Sequence, residues 1–162
     1  MNKNTDRSVS GSTQASGACS LGSNPSGPTN MQYHIEYREI DGRGRGIFAL
    51  KDFVVGEIIE TCPVVVLSEK ESRICDQTIL EYYTYPWEGN EDGCIVLGYG
   101  SLYNHSFEPN AEYDLMYKDK TIVYKALLPI KRGDEILVNY NGDSKDISVM
   151  DLLPSDRFGP IV

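Results

Sequence analysis

Asn104, His105, Tyr103 and Tyr113 share one short stretch, LYNHSFEPNAEY, running from Leu102 to Tyr113. A carboxamide, an imidazole and phenols side by side combine hydrogen-bond donors, acceptors and ring faces. That equipment suits a polar corner gripping a small molecule that carries an amine and heteroaromatic nitrogens. Two plainer readings stand beside it. Asn104-His105-Ser106 matches the N-x-S glycosylation sequon, which matters only in a secreted protein, and His105 can be a core histidine whose nitrogens are satisfied by neighbours. A metal role is the weakest use of it, because the chain holds 2 histidines and places no acidic or cysteine ligands at metal spacing.

Tyr140 closes the segment GDEILVNYNGD, and the chain carries 11 tyrosines against 4 phenylalanines. A buried phenol needs a hydrogen-bond partner, so tyrosines grouped at one site make a pocket with apolar walls and polar tips. Such a pocket accommodates a lysine, whose methylene stem packs on rings while its nitrogen meets oxygens. The competing explanation is that tyrosine favours strands anyway. In DGRGRGIFAL, the glycines at 42, 44 and 46 let the backbone approach a ligand closely. Their spacing departs from the dinucleotide fingerprint and a strand pattern follows, so a plain glycine turn competes with a binding role. No nucleophile elbow or Ser/His/Asp signature supports a hydrolase.

The elements that must position these residues belong to a chain of 162 residues, the size of one domain with 40% hydrophobic content. Residues 1–30 are rich in Ser, Gly, Asn, Thr and Pro and are expected to form a disordered tail. The net charge of −9 disfavours direct binding of nucleic acid, whose phosphates reward Lys and Arg, and favours basic protein partners. The 4 cysteines are widely spaced, without a C-x-x-C pair, which fits reduced thiols in an intracellular, soluble protein. No apolar run approaches the roughly 18 residues of a membrane span.

Strand patterns dominate. The alternation at Tyr33 to Tyr37 predicts a strand that turns through DGRGRG and re-emerges as IFAL, and Ile58 to Leu67 reads as a buried strand placed at an edge or bulged by Pro63. Ser68 to Glu71 fits a capping box opening the one convincing helix, with Ile74, Ile79, Leu80 and Tyr83 as its buried face, closed by Pro86 and the PWEGNEDG loop. EYDLMY and TIVYKAL flank KDK as a hairpin, and ILVNY makes the last strand. The expected class is mainly β.

Three segments in this order, GRGRGIFA, LYNHSFEPNA and GDEILVNYN, resemble the SET domain of protein lysine methyltransferases. The resemblance spans about Tyr33 to Asp143 and is nearest the compact, free-standing viral and bacterial forms, which TILEYYTYPW and VLGYGSLYNHS also match. It implies a β-clip-like set of small curved sheets around a C-terminal pseudoknot, with one or two short helices. The domain is then 31–143, followed by a C-terminal tail over 144–162. It further implies that Gly44, Arg45, Gly46, Asn104, His105 and Tyr140 bind S-adenosyl-L-methionine, and that Tyr140, Tyr103 and Tyr99, with Tyr83 contributing, form the lysine channel and its catalytic centre. The implied partner is a basic, flexible protein segment, histone-like or ribosomal.

Residues 141–162 contain no cysteine, so the zinc-binding segment that completes the channel in many relatives has no counterpart there. The tail with Leu152, Leu153 and Phe158, or a second copy of the chain, is the candidate closure. Arg45 stands where the family varies, and Asn139 where it is frequently acidic or serine. Two alternatives remain beside the enzyme: a catalytically inactive SET-like module that binds a protein or peptide, and a β-rich interaction domain with a tyrosine patch.

Overall fold

The computed structural model describes residues 34–41, 44–89 and 92–148. The expected tail over 1–30, the glycine at 42 and the candidate closing segment with Leu152, Leu153 and Phe158 lie outside them.

Strand β1 (Ile35–Ile40) and strand β2 (Gly44–Ala49) form the expected antiparallel hairpin, paired from Ile35↔Ala49 to Ile40↔Gly44. Strand β3 runs from Ile58 to Leu67, β4 from Thr84 to Pro86 and β5 from Gly93 to Val96. The two-residue strand β6 (Asn104–His105) precedes the hairpin β7 (Ala111–Met116) and β8 (Thr121–Ala126), and β9 (Glu135–Val138) comes last. They assemble as two small sheets in the orders β1-β2-β9-β6 and β4-β5-β3-β8-β7. The mainly β expectation therefore holds. Ile47, Phe53, Ile122, Ile130, Ile136 and Val138 are buried between these strands, each stabilising by roughly 1.5–3 kcal/mol relative to exposure.

The KDK hairpin forms as expected, its turn a 3₁₀ segment Tyr117–Asp119 ending on Lys120 in the left-handed region, φ +51°. Strand β3 differs from its expectation. It lies in the middle of its sheet, and its pairing shifts register between Ile58 and Glu60, away from Pro63. Pro63 falls where β3 changes partner, opposite Thr121 of β8 immediately before Val64 meets Val96 of β5. The missing N–H is tolerated at that switch, while the Pro63 carbonyl still accepts from the Leu97 N–H at 2.9 Å. Nor is the strand buried throughout: Cys62 and Leu67 are, whereas Ile58 and Val65 are exposed.

Helix α1 (Glu69–Cys75) begins at the predicted capping box, where the Ser68 N–H and hydroxyl both donate to Glu71 Oε2, at 2.9 and 2.6 Å. Its predicted buried face does not form. Cys75 is the buried residue, and Ile74, Ile79 and Leu80 are exposed. The helix ends at Cys75 and a separate 3₁₀ turn, Ile79–Tyr83, starts at Thr78, whose Oγ1 accepts the Leu80 N–H at 3.1 Å. The interruption breaks the helical phase that would have put Ile74, Ile79 and Tyr83 on one stripe. Among the described residues no helix is long and apolar enough to cross a membrane.

Candidate functional site

β6 is short because its neighbours end it: Ser106 turns away after donating to Val138 O at 2.9 Å, and Pro109 cannot extend a ladder. Within that span Asn104 and His105 run parallel to Leu137 and Val138 of β9. Asn110 then clamps β9 from the side. Its Nδ2 donates to Glu135 O and its Oδ1 accepts the Leu137 N–H, both at 2.8 Å, so one side chain substitutes for backbone rungs.

His105 is buried, with its ring edge-on to Phe107 at 4.6 Å. Nδ1 accepts the Tyr140 N–H at 3.1 Å, which assigns the proton of the neutral ring to Nε2. Burial lowers the basicity of the ring and keeps it neutral. Among the described residues Nε2 is buried and has no hydrogen-bond partner. An unmet buried donor costs roughly 1–3 kcal/mol, so an acceptor brought to this nitrogen would relieve that cost.

Gly46 and Asn104 meet through a third residue. Asn104 Nδ2 donates to Glu135 Oε1 at 2.8 Å. A Cβ on Gly46 would lie 2.5 Å from that same oxygen, 2.6 Å from Ile40 Cδ1 and 2.9 Å from Asn104 Nδ2. The glycine is therefore required by the carboxamide–carboxylate pair beside it. Gly44 has φ +76°, a left-handed conformation that glycine adopts without penalty. Between them Arg45 places Nη2 3.5 Å from the Tyr83 hydroxyl, linking the glycine segment to the 3₁₀ turn.

The Tyr140 hydroxyl donates to Tyr103 O at 2.6 Å and its ring lies 5.2 Å from that of His105. Burial, reinforced by neighbouring Tyr83, raises its pKa well above that of an ordinary phenol. Tyr140 is thus a protonated donor at neutral pH and no general base. Tyr103 reaches this centre through its carbonyl. Its ring is turned into the core, stacked on Tyr124 at 4.4 Å, with the hydroxyl donating to Glu60 Oε2 at 3.2 Å. Tyr99 is farther out: its N–H donates to Glu60 Oε1 at 3.2 Å and its ring lies 6.4 Å from Tyr37. So Gly46, Asn104, His105 and Tyr140 form one contiguous site, with Tyr103 and Tyr99 joined through a carboxylate.

Sequence reasoning noted Tyr113 without giving it a role and passed over Glu60 and Glu135. The Tyr113 hydroxyl donates to Tyr140 O at 3.4 Å, and burial pushes its pKa up to about 12. Its place on the inward face of β7 was readable from the alternation AEYDL. Glu60 and Glu135 carried no local signal. Buried Asn139 donates to Asp146 O at 2.6 Å, while Asn141 Nδ2 donates to Asp146 O at 3.2 Å and Ser148 O at 2.9 Å. The chain after β9 is therefore tied back beside Tyr140. Among the described residues no group of three or more His, Cys, Asp or Glu side chains could hold a metal ion.

The SET domain family model matches residues 44–141. The chain is 35% identical over 107 residues to the H3 lysine-37 specific histone-lysine N-methyltransferase of Schizosaccharomyces pombe, covering 65% of this chain and 72% of that protein. Among solved structures, a candidate histone methyltransferase of Plasmodium falciparum is 33% identical with a TM-score of 0.52, the match covering 68% of this chain and 95% of that one. A humanized mutant of the Chaetomium thermophilum Polycomb Repressive Complex 2 matches at 20% identity and a TM-score of 0.56, over 65% of this chain and 14% of that one. At that identity it speaks for the fold alone.

Proposed function

The chain belongs to the SET-domain family, and on that premise we propose that it is a protein-lysine N-methyltransferase that uses S-adenosyl-L-methionine. Its substrate is a lysine in a basic, flexible segment of another protein. The observation that carries the reading is the buried Nε2–H of His105, without a partner among the described residues, beside the Tyr140 ring. An acceptor nitrogen or oxygen of a ligand would satisfy that donor, and the missing side chain of Gly46 lets the Asn104–Glu135 pair close up beside the glycine segment.

Gly44, Arg45 and Gly46 would offer backbone groups to the cofactor, with Asn104 and His105 holding it from the opposite strand. When bound, S-adenosylmethionine supplies a methyl group on a positively charged sulfur, open to in-line displacement by an amine lone pair. The protein's task is then positioning. The amine must be neutral to attack, and an apolar, tyrosine-walled channel lowers a lysine pKa without a dedicated base. Tyr140 keeps its proton on the Tyr103 carbonyl, so its oxygen lone pairs are free to orient an amine N–H. The charge of −9 draws basic substrates such as histone tails or ribosomal proteins toward the molecule.

The test is transfer of a labelled methyl group from S-adenosylmethionine to histones, ribosomal proteins and a cell lysate, with wild type and Tyr140→Phe side by side. A band that falls by about 100-fold in the variant, with cofactor affinity retained, is the expected result. Absence of both labelling and cofactor binding would overturn the reading and leave a binding module.

A further inference from the structure

Glu60 lies on β3 opposite Tyr124 of β8, at the register shift that begins after Ile58. Its two oxygens are divided between two donors: Oε1 takes the Tyr99 N–H and Oε2 the Tyr103 hydroxyl, each at 3.2 Å. Space is reserved for it. Gly98 has φ +71°, and a Cβ there would come within 2.6 Å of Glu60 Oε1. The turn that Glu60 grips is held from the other side too, since Gly100 O accepts the hydroxyls of both Tyr85 and Tyr124 at 3.0 Å. That turn ends on the carbonyl to which Tyr140 donates.

We propose that Glu60 is a positioning residue: by fixing both ends of the Tyr99–Tyr103 turn it sets the place of the Tyr103 carbonyl, and through it the orientation of the Tyr140 hydroxyl. This rests on the methyltransferase reading for its catalytic consequence, and on the geometry alone for its structural one. A partly buried carboxylate is an expensive way to fill a strand position unless it accepts more than one bond. Glu60 accepts two, from residues at the two ends of the turn. The neighbouring Cys62 thiol has its pKa pushed up, first by burial and then by the Glu60 charge. A glutamine retains the arrangement, because its oxygen can accept the Tyr99 N–H and its amide can donate to the Tyr103 oxygen.

The experiment compares Glu60→Gln, Glu60→Ala and Tyr103→Phe by methyl-transfer kinetics and by the fluorine resonance of 3-fluorotyrosine placed at position 140, which needs no activity. Glu60→Ala should lower kcat by ~30-fold, since an error of about 1 Å in placement costs on the order of 100-fold, with KM for S-adenosylmethionine unchanged. Tyr103→Phe should shift the resonance in the same direction, and Glu60→Gln should restore both kcat and resonance to near wild type. An unmoved resonance in Glu60→Ala and Tyr103→Phe overturns the proposal. So does a Glu60→Gln variant as impaired as Glu60→Ala, which would make the charge, not the placement, the active property. If wild type transfers no methyl group, the functional reading fails and the resonance still decides the role of Glu60. Should Glu60→Ala not fold, Tyr103→Phe and Glu60→Gln carry the comparison.

Discussion

The main-chain N–H of Tyr140 donates to Nδ1 of His105 across 3.1 Å, so the chain leaving β9 fixes the tautomer of a side chain on β6. A backbone donor has a single state and cannot be titrated away. It makes the other nitrogen a permanent donor, whatever the solution conditions near neutrality.

Acid should therefore weaken the protein through this residue. The ordinary imidazole pKa is 6.5 and burial lowers it in the folded state. The unfolded chain takes up a proton as pH falls below 6.5 while folded His105 does not, so its stabilising contribution is complete above 6.5 and is lost progressively beneath it. The limiting slope from one such group is about 1.4 kcal/mol per pH unit. Denaturant midpoints between pH 7.5 and 5 should fall more steeply for wild type than for His105→Gln. Parallel curves would show that His105 is not buried neutral.

Gly46→Ala should damage ligand binding more than folding. The new methyl group meets the ends of Glu135 and Asn104, side chains that can shift, so the fold should survive with a modest loss of stability. Their mutual hydrogen bond should not. Loss of a charge-assisted bond of roughly 1.5–3 kcal/mol predicts affinity for S-adenosylmethionine reduced by about 10- to 100-fold in titration calorimetry. An unchanged affinity would mean that the Asn104–Glu135 pair does not shape the site.

Asn110→Ala should be strongly destabilising for an exchange so small. It strips the Leu137 N–H and the Glu135 carbonyl of their partners at once. With about 1–3 kcal/mol for each unmet group, a loss near 3 kcal/mol is expected in chemical denaturation. Asn110→Asp, which keeps only the acceptor for Leu137, should fall between the two.

Much of the scaffold was readable in advance because hairpins write themselves locally. The alternations that became β1, β2, β7 and β8 needed only a period of two and a turn between them. Tertiary choices overrode the rest. Pro63 looked like an edge marker, yet a strand that changes partner mid-length has one place where a donor is dispensable. The apolar spacing from Ile74 to Tyr83 mimicked a helix face across what is a break at Thr78. In the site, the glycines, Asn104, His105 and Tyr140 stood out by residue type and the resemblance gave them roles, whereas Glu60 and Glu135 act through partners 43 and 31 residues away. Contacts at such separations leave no periodicity in a sequence.

The parallel pairing of β6 with β9 also bears on how the protein is made. His105 and Tyr140 stand 35 residues apart, and parallel strands at that separation are slow to find one another because the loop between them must close first. On a ribosome the glycine segment, β6 and the β7–β8 hairpin emerge with their partner strand still unsynthesised. The His105–Tyr140 contact therefore forms only once β9 has been made. A ligand that binds only the completed arrangement would raise the melting temperature with its concentration.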